Sequence, residues 1–131
     1  MRVAACFGAG MDIVEPCAFP LTDKKIRTAA MDYGAAISPT RHASWTAYQN
    51  SAEAARGRLV LFTTAGAGEI WDFEFSADDR LLFGRESAGV PENVHESADS
   101  RVRIPIREGV RSLNVTVSAG IALAEASRQL R

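Results

Sequence analysis

Apolar and polar residues along this chain fall into short blocks whose period changes repeatedly, and the blocks predict brief strands alternating with helices. Residues 2–8 read as the end of a helix stopped by Gly8 and Gly10. Residues 11–14 (Met11, Asp12, Ile13, Val14) are a short strand ending at Glu15-Pro16, since proline cannot donate to a central ladder. Thr22 or Asp23 caps a helix that runs through Lys25, Ile26, Ala29 and Met31 to Gly34, and residues 35–37 are a possible strand before Pro39. Ser44 caps a second helix from Trp45 to Arg56, with Gly57 at its end.

The pattern sharpens in the second half. Residues 58–64 are the clearest buried strand, a continuous apolar run bounded by turn residues. Residues 71–75 (Trp71, Asp72, Phe73, Glu74, Phe75) alternate, and read as a strand with one wet face or as a short segment packed at an edge. Asp78-Asp79 turns the chain into Leu81-Leu82-Phe83, a further buried strand. Pro91 opens a short helix to about Ser97, and residues 102–105 form a strand cut short by Pro105. The last helix runs from Leu113 to Leu130, with Val117, Ile121, Ala124 and the region of Leu130 on its apolar stripe. Such an order predicts an α/β fold, a mostly parallel sheet flanked by helices. In such sheets ligands bind beyond the carboxyl ends of the strands. The stretches at Thr63–Gly66, Gly84–Glu86 and Pro105-Ile106 would therefore converge on one side.

Composition narrows the classes. A length of 131 residues suits one domain spanning 1–131. No apolar run approaches the ~20 residues that cross a bilayer, and no signal peptide is readable at the N-terminus. Cys6 and Cys17 lack metal spacing and read as two buried thiols in a reducing cytosol. Net charge is −1, but residues 69–100 carry nine acids against two bases, while residues 101–131 carry six bases against two acids. The basic stretch is either a solvated surface or an arginine patch that holds phosphates.

Several motifs fail. Gly8-Ala9-Gly10 follows a helix and Ile13 stands where a dinucleotide fingerprint needs glycine, so it is a helix stop. There is no Gly-x-Ser-x-Gly elbow, which removes a hydrolase role for Ser87. His42 and His95 lack a partner at ligand spacing and read as surface or capping residues. Trp45 and Trp71 read as packing groups. The loops are different. Gly66, Gly84 and Gly89 let backbone approach a ligand. Phe62, Ile104 and Leu113 would give an apolar floor suited to an adenine ring. Ser112 and Asn114 precede the last helix, whose first amides and hydroxyl can hold a polar group. Glu86 either braces its loop or meets the ligand.

At these residues the chain resembles the SPOUT superfamily of RNA methyltransferases, and within it the TrmL-type tRNA (cytidine/uridine) 2′-O-methyltransferases. The resemblance runs from Arg2 to the end. It rests on Ile13-Val14-Glu15-Pro16, Asp23-Lys24-Lys25 with Arg27, Asp32-Tyr33, Phe62-Thr63-Thr64, the loop from Leu82 to Pro91, Arg103-Ile104-Pro105 and Arg111-Ser112-Leu113-Asn114. It implies a deep trefoil knot whose loops bind S-adenosylmethionine, leaving S-adenosylhomocysteine. Cofactor contacts fall at Phe62, Gly84, Ile104, Ser112 and Leu113. The catalytic arginine is Arg2, fourteen residues before Pro16, and Ser112 and Asn114 complete the catalytic set. The resemblance also implies a cytoplasmic homodimer acting on the wobble ribose of certain tRNAs. Arg103, Arg107 and Arg111 are candidates for RNA phosphates. No metal is expected, because the leaving group is a neutral thioether. The family begins with a strand and an Asn-x-Gly loop ahead of the position of Arg2, so the domain is expected to be N-terminally shortened, its first strand missing. The alternatives are a non-catalytic RNA- or nucleotide-binding module that keeps the cofactor pocket, and a nucleotide-binding regulatory domain.

Overall fold

A computed structural model of the chain describes residues 2–15, 39–65, 68–84, 90–109 and 114–131. They fall into two compact units, residues 1–55 and 56–131. The helix expected to end at Gly34, the strand at 35–37 and Cys17 lie outside the described residues, as do Gly66, Glu86, Gly89, Arg111, Ser112 and Leu113. The knot implied by the resemblance depends on loops at 85–89 and 110–113 that also lie outside them.

In the first unit, α1 (Arg2–Cys6) ends where Gly8 takes a φ of 65°, the left-handed turn expected of a glycine stop. Strand β1 (Asp12–Val14) pairs in parallel with β2 (Thr40–His42), Asp12 opposite Thr40 and Val14 opposite His42. Ser44 caps α2 (Trp45–Gln49) through Oγ, which accepts from the Ala47 amide at 3.1 Å. That helix is shorter than its pattern suggested. It stops at Asn50, and only a 3-10 turn at Glu53–Ala55 follows before Gly57. The Ser51 hydroxyl bonds back to the Tyr48 carbonyl at 2.5 Å, a local bond that competes with helix continuation. His42 also differs from expectation. It is buried, its Nε2 lies 2.8 Å from Asp12 Oδ1, and its ring meets the Tyr48 ring edge-on at 5.0 Å. The partner was hidden because it comes from a neighbouring strand rather than a nearby sequence position. Cys6 is exposed, not buried.

The second unit holds a four-stranded, all-parallel sheet in the order β4-β6-β3-β5. Its strands are β3 (Leu59–Phe62), β4 (Gly68–Glu69), β5 (Arg80–Phe83) and β6 (Ser100–Arg103). Every residue of β3 is buried, as an inner parallel strand covered on both faces requires. Val60, Phe62, Ile70, Phe75, Val102 and Ala122 form the core. Each large side chain buried there stabilises by about 1.5–3 kcal/mol. Helix α3 (Glu92–Ser97) follows Pro91 as expected, and α4 (Val115–Gln129) closes the chain.

Three expectations change here. Residues 71–75 form no strand; Ile70–Asp72 is a 3-10 turn, and residues 73–75 lie outside the sheet, with Phe73 in extended backbone. Trp71, read as a packing group, is 58% exposed, and the anchor of the turn is Ile70, which is fully buried. Of the stripe read on the last helix, Ile121 alone is borne out. Val117, Ala124 and Leu130 are exposed, while Ala122 and Glu125 are buried and Ile121 and Ala126 pack on the core. A helix rich in small apolar residues offers two such stripes, and the sequence does not say which one meets its own sheet.

A tight corner carries the sheet's opposite end. Gly57 has a φ of 62°, and a Cβ there would stand 1.8 Å from the Asp78 carbonyl oxygen. Beside it Arg58 donates to Asp79 from Nε at 2.9 Å and Nη2 at 2.7 Å. Asp79 also accepts from the Ser76 amide at 2.8 Å. Burial alone would raise the Asp79 carboxyl, but the Arg58 and Ser76 hydrogen bonds and the Arg58 charge hold it below its ordinary range.

Candidate active site

The parallel registers bring the carboxyl ends of β3, β5 and β6 to one edge. Phe62 lies opposite Phe83 and opposite Val102, so Thr63, Gly84 and Arg103-Ile104 leave the sheet side by side. This is the edge where an open α/β sheet binds its ligands. The Thr63 amide bonds to the Val102 carbonyl at 3.0 Å, and Thr63 Oγ1 accepts from the Ala65 amide at 3.2 Å, fixing the start of the first loop.

Phe62 does not present its ring as an apolar floor. Its side chain is 8% exposed and stacks on Phe83 at 4.9 Å and on Phe75 at 6.4 Å. What it offers is the end of a rigid strand, with backbone rather than ring at the edge. Gly84 is half-buried directly after β5, and Ile104 is half-buried and packed against the core. Leu113 and Ser112 lie outside the described residues.

Asn114 is the N-cap of α4. Its Oδ1 accepts from the Thr116 amide at 2.7 Å and from the Val117 amide at 3.3 Å. The cap uses the carbonyl oxygen, so the Nδ2 amide is oriented away from these donors by the geometry of the group. Arg2 opens α1. Among the three arginines read as phosphate ligands, Arg107 is exposed and Arg111 lies outside the described residues. Arg103 ends β6 and donates from Nη2 to Glu69 Oε1 at 3.2 Å, the residue opposite it in β4. Both side chains of that pair are 42% exposed, and pairs this wet contribute about 0–1 kcal/mol. Arg103 Nε is buried with no hydrogen-bond partner among the described residues. An unpaired donor beside Ile104 marks a place where a polar ligand group would be satisfied.

Sequence reasoning missed Glu125 and Gln129. Glu125, Arg128 and Gln129 have the spacing of a polar cluster on one helix face, which was readable, but their backbone partners at 73 and 75 were not. In the first unit, ligand atoms of Asp12, His42 and Glu53 lie within 4.8 Å of one another, the one group among the described residues with that proximity. The Asp12–His42 hydrogen bond already occupies the imidazole nitrogen.

The SpoU rRNA Methylase family matches residues 1–124. A tRNA (cytidine(34)-2′-O)-methyltransferase of Beijerinckia indica is 48% identical over 130 residues, covering 99% of this chain and 81% of that protein. Its namesake in Ancylobacter novellus is 51% identical over 128 residues, covering 98% and 81%. Among solved structures, one from work on 2-OH methylation of C/U34 on tRNA superposes with a TM-score of 0.83 at 34% identity, covering 98% of this chain and 84% of that one. The SpoU methyltransferase AviRb of Streptomyces viridochromogenes, in complex with AdoMet, superposes at 0.82 with 27% identity, covering 98% and 53%. A match over nearly the whole chain, together with parallel strands that deliver the motif residues to one edge, decides the assignment: the chain belongs to the SpoU methylase family.

Proposed function

We propose that this protein transfers the methyl group of S-adenosylmethionine to the ribose 2′-hydroxyl of the wobble nucleotide, position 34, of tRNA. The observation that carries this reading is the identity of about half the residues, over almost the full chain, with two enzymes named for that reaction. The shared edge of β3, β5 and β6 supports it independently. The residues present suit the cofactor: strand-end backbone at Phe62 and Gly84, and the apolar side chain of Ile104. Ser112 and Leu113 complete the proposed cofactor set.

When bound, S-adenosylmethionine supplies an activated methyl group on a sulfonium, which leaves as a neutral thioether. The protein's own task is to orient the 2′-hydroxyl and help it lose a proton as it attacks. An arginine side chain keeps its proton throughout the physiological pH range. Arg2 is therefore assigned to hold the phosphate or hydroxyl, with the proton leaving through the phosphate. Ser112 and Asn114 orient the reacting groups from the N-terminus of α4, where the Asn114 carbonyl is held by the cap and its amide remains to donate. Arg103, Arg107 and Arg111 are assigned to RNA phosphates, Arg103 by exchanging its weak pair with Glu69. No metal takes part in this scheme.

The working form is proposed to be a homodimer in the cytoplasm, where its substrate is. Exposed apolar residues of the second unit, Val117 on α4 and Leu130 just past its end, support pairing. No helix among the described residues is long and apolar enough to cross a membrane. The test is methyl transfer to unmodified tRNA with the modified ribose mapped. Methylation at position 34 is the expected result; cofactor binding without transfer to any tRNA would favour the non-catalytic binding module.

A further inference from the structure

Residues 73–75 join no strand, with Phe73 in extended backbone, so their backbone groups have to be satisfied by other means. Side chains do this. Gln129, in the last turn of α4, accepts from the Phe75 amide through Oε1 at 2.8 Å and donates from Nε2 to the Phe73 carbonyl at 2.9 Å. One side-chain amide thus imitates a neighbouring strand. Arg58 adds a bond from Nη2 to the Glu74 carbonyl at 2.9 Å and sets its guanidinium 5.1 Å from the Phe73 ring centre.

The orientation of the Gln129 amide is fixed from behind. Nε2 also donates to Glu125 Oε2 at 3.3 Å, and Glu125 is 8% exposed. Arg128 donates to the same carboxylate from Nε at 2.6 Å and Nη2 at 3.0 Å. Those bonds hold the Glu125 carboxyl below its ordinary range, so it stays an acceptor. Only one of the two flips of Gln129 satisfies every partner.

The segment so pinned carries Phe75, whose ring lies parallel to Phe62, and Phe62 in turn stacks on Phe83. Phe62 and Phe83 are the last residues of β3 and β5, one position before Thr63 and Gly84. We propose that Gln129 is a positioning residue for the cofactor: its amide sets residues 73–75, which fix the Phe75-Phe62-Phe83 stack beneath the strand ends that meet S-adenosylmethionine. The inference rests on the cofactor reading of that edge.

The test compares wild-type protein with Gln129→Met and Gln129→Glu, measuring S-adenosylhomocysteine affinity by calorimetry and steady-state methylation of tRNA. Gln129→Met keeps the volume and loses both backbone bonds. It is expected to raise the cofactor KM and the product Kd about tenfold, with kcat and the tRNA KM unchanged. A merely structural role would instead lower the active fraction, and hence kcat, at constant KM. In Gln129→Glu the introduced carboxyl accepts from the Phe75 amide, but it donates to the Phe73 carbonyl only when protonated. That carboxyl faces the Glu125 carboxylate on one side and the Arg128 guanidinium on the other. The variant's Kd is expected to return toward the wild-type value as pH falls from 7 toward the ordinary glutamate range near ~4.3. If Gln129→Met does not fold, this pH-dependent recovery decides the matter alone. Wild-type affinity in both variants overturns the inference and leaves the cofactor site standing. Failure of the wild-type protein to bind S-adenosylhomocysteine overturns both.

Discussion

Asn114 serves two ends with one side chain, and the two can be separated. Its Oδ1 caps α4, and its Nδ2 is assigned to the site. Asn114→Ser keeps a capping oxygen and discards the amide, so stability should hold within a few tenths of a kcal/mol while methyl transfer falls. Asn114→Ala should cost about 1 kcal/mol of stability as well. Equal activity in wild type and Asn114→Ser, read by tRNA methylation, would confine Asn114 to the cap. Gly84→Val should abolish S-adenosylhomocysteine binding in calorimetry with little change in melting temperature, because backbone is what β5 offers at that position. Arg2→Ala should remove methyl transfer while cofactor affinity stays near wild type; retained activity would end the catalytic assignment. The sequence placed Asn114 just ahead of the last helix, Gly84 just after a buried strand and Arg2 fourteen residues before Pro16, but it did not show that Asn114 is the cap. Gln129 was not legible, since its meaning depends on backbone partners at 73 and 75 that only folding brings to it.

At the scale of elements, β1, β3, β5 and β6 were legible, while the short strands β2 and β4 and the helix faces were not. Residues 59–62 are apolar throughout, and such a run has one reading once its length is short. The alternation at 71–75 misled because Phe73 and Phe75 have two ways to reach the core: as a strand, or as a segment held by side chains. The corner at Gly57 was read as a helix stop, yet its left-handed backbone instead admits the Asp78 carbonyl. The Arg58–Asp79 pair there makes a prediction about pH. The folded protein holds the Asp79 carboxyl below its unfolded value near ~3.9. Its contribution is therefore complete above that value and is lost as pH falls through the depressed folded one. Asp79→Asn should cost about 1–3 kcal/mol at pH 7. Urea unfolding should show the gap between the two proteins closing below about pH 4, and a gap that stays constant with pH would mean the pair contributes nothing through charge.

For the molecule as a whole, α4 buries Ala122 and Glu125 and leaves Val117 and Leu130 at 50% and 47% exposure. Exposed Val117 and Leu130 are where the proposed dimer would close. Val117→Lys combined with Leu130→Lys should yield a monomer at micromolar concentration by light scattering, while wild type gives twice that mass. Identical masses would move the interface elsewhere. The order β4-β6-β3-β5 has a consequence for how the chain reaches its native state. Leu59 finds its partner at Arg80, and Val60 finds its other one only at Ser100. The most apolar strand is thus synthesised well before either neighbour exists, and it emerges from the ribosome as an unpaired, aggregation-prone template. Its shelter in the finished protein comes from residues translated after it, so the second half of the chain acts, in time, as the chaperone of its own central strand.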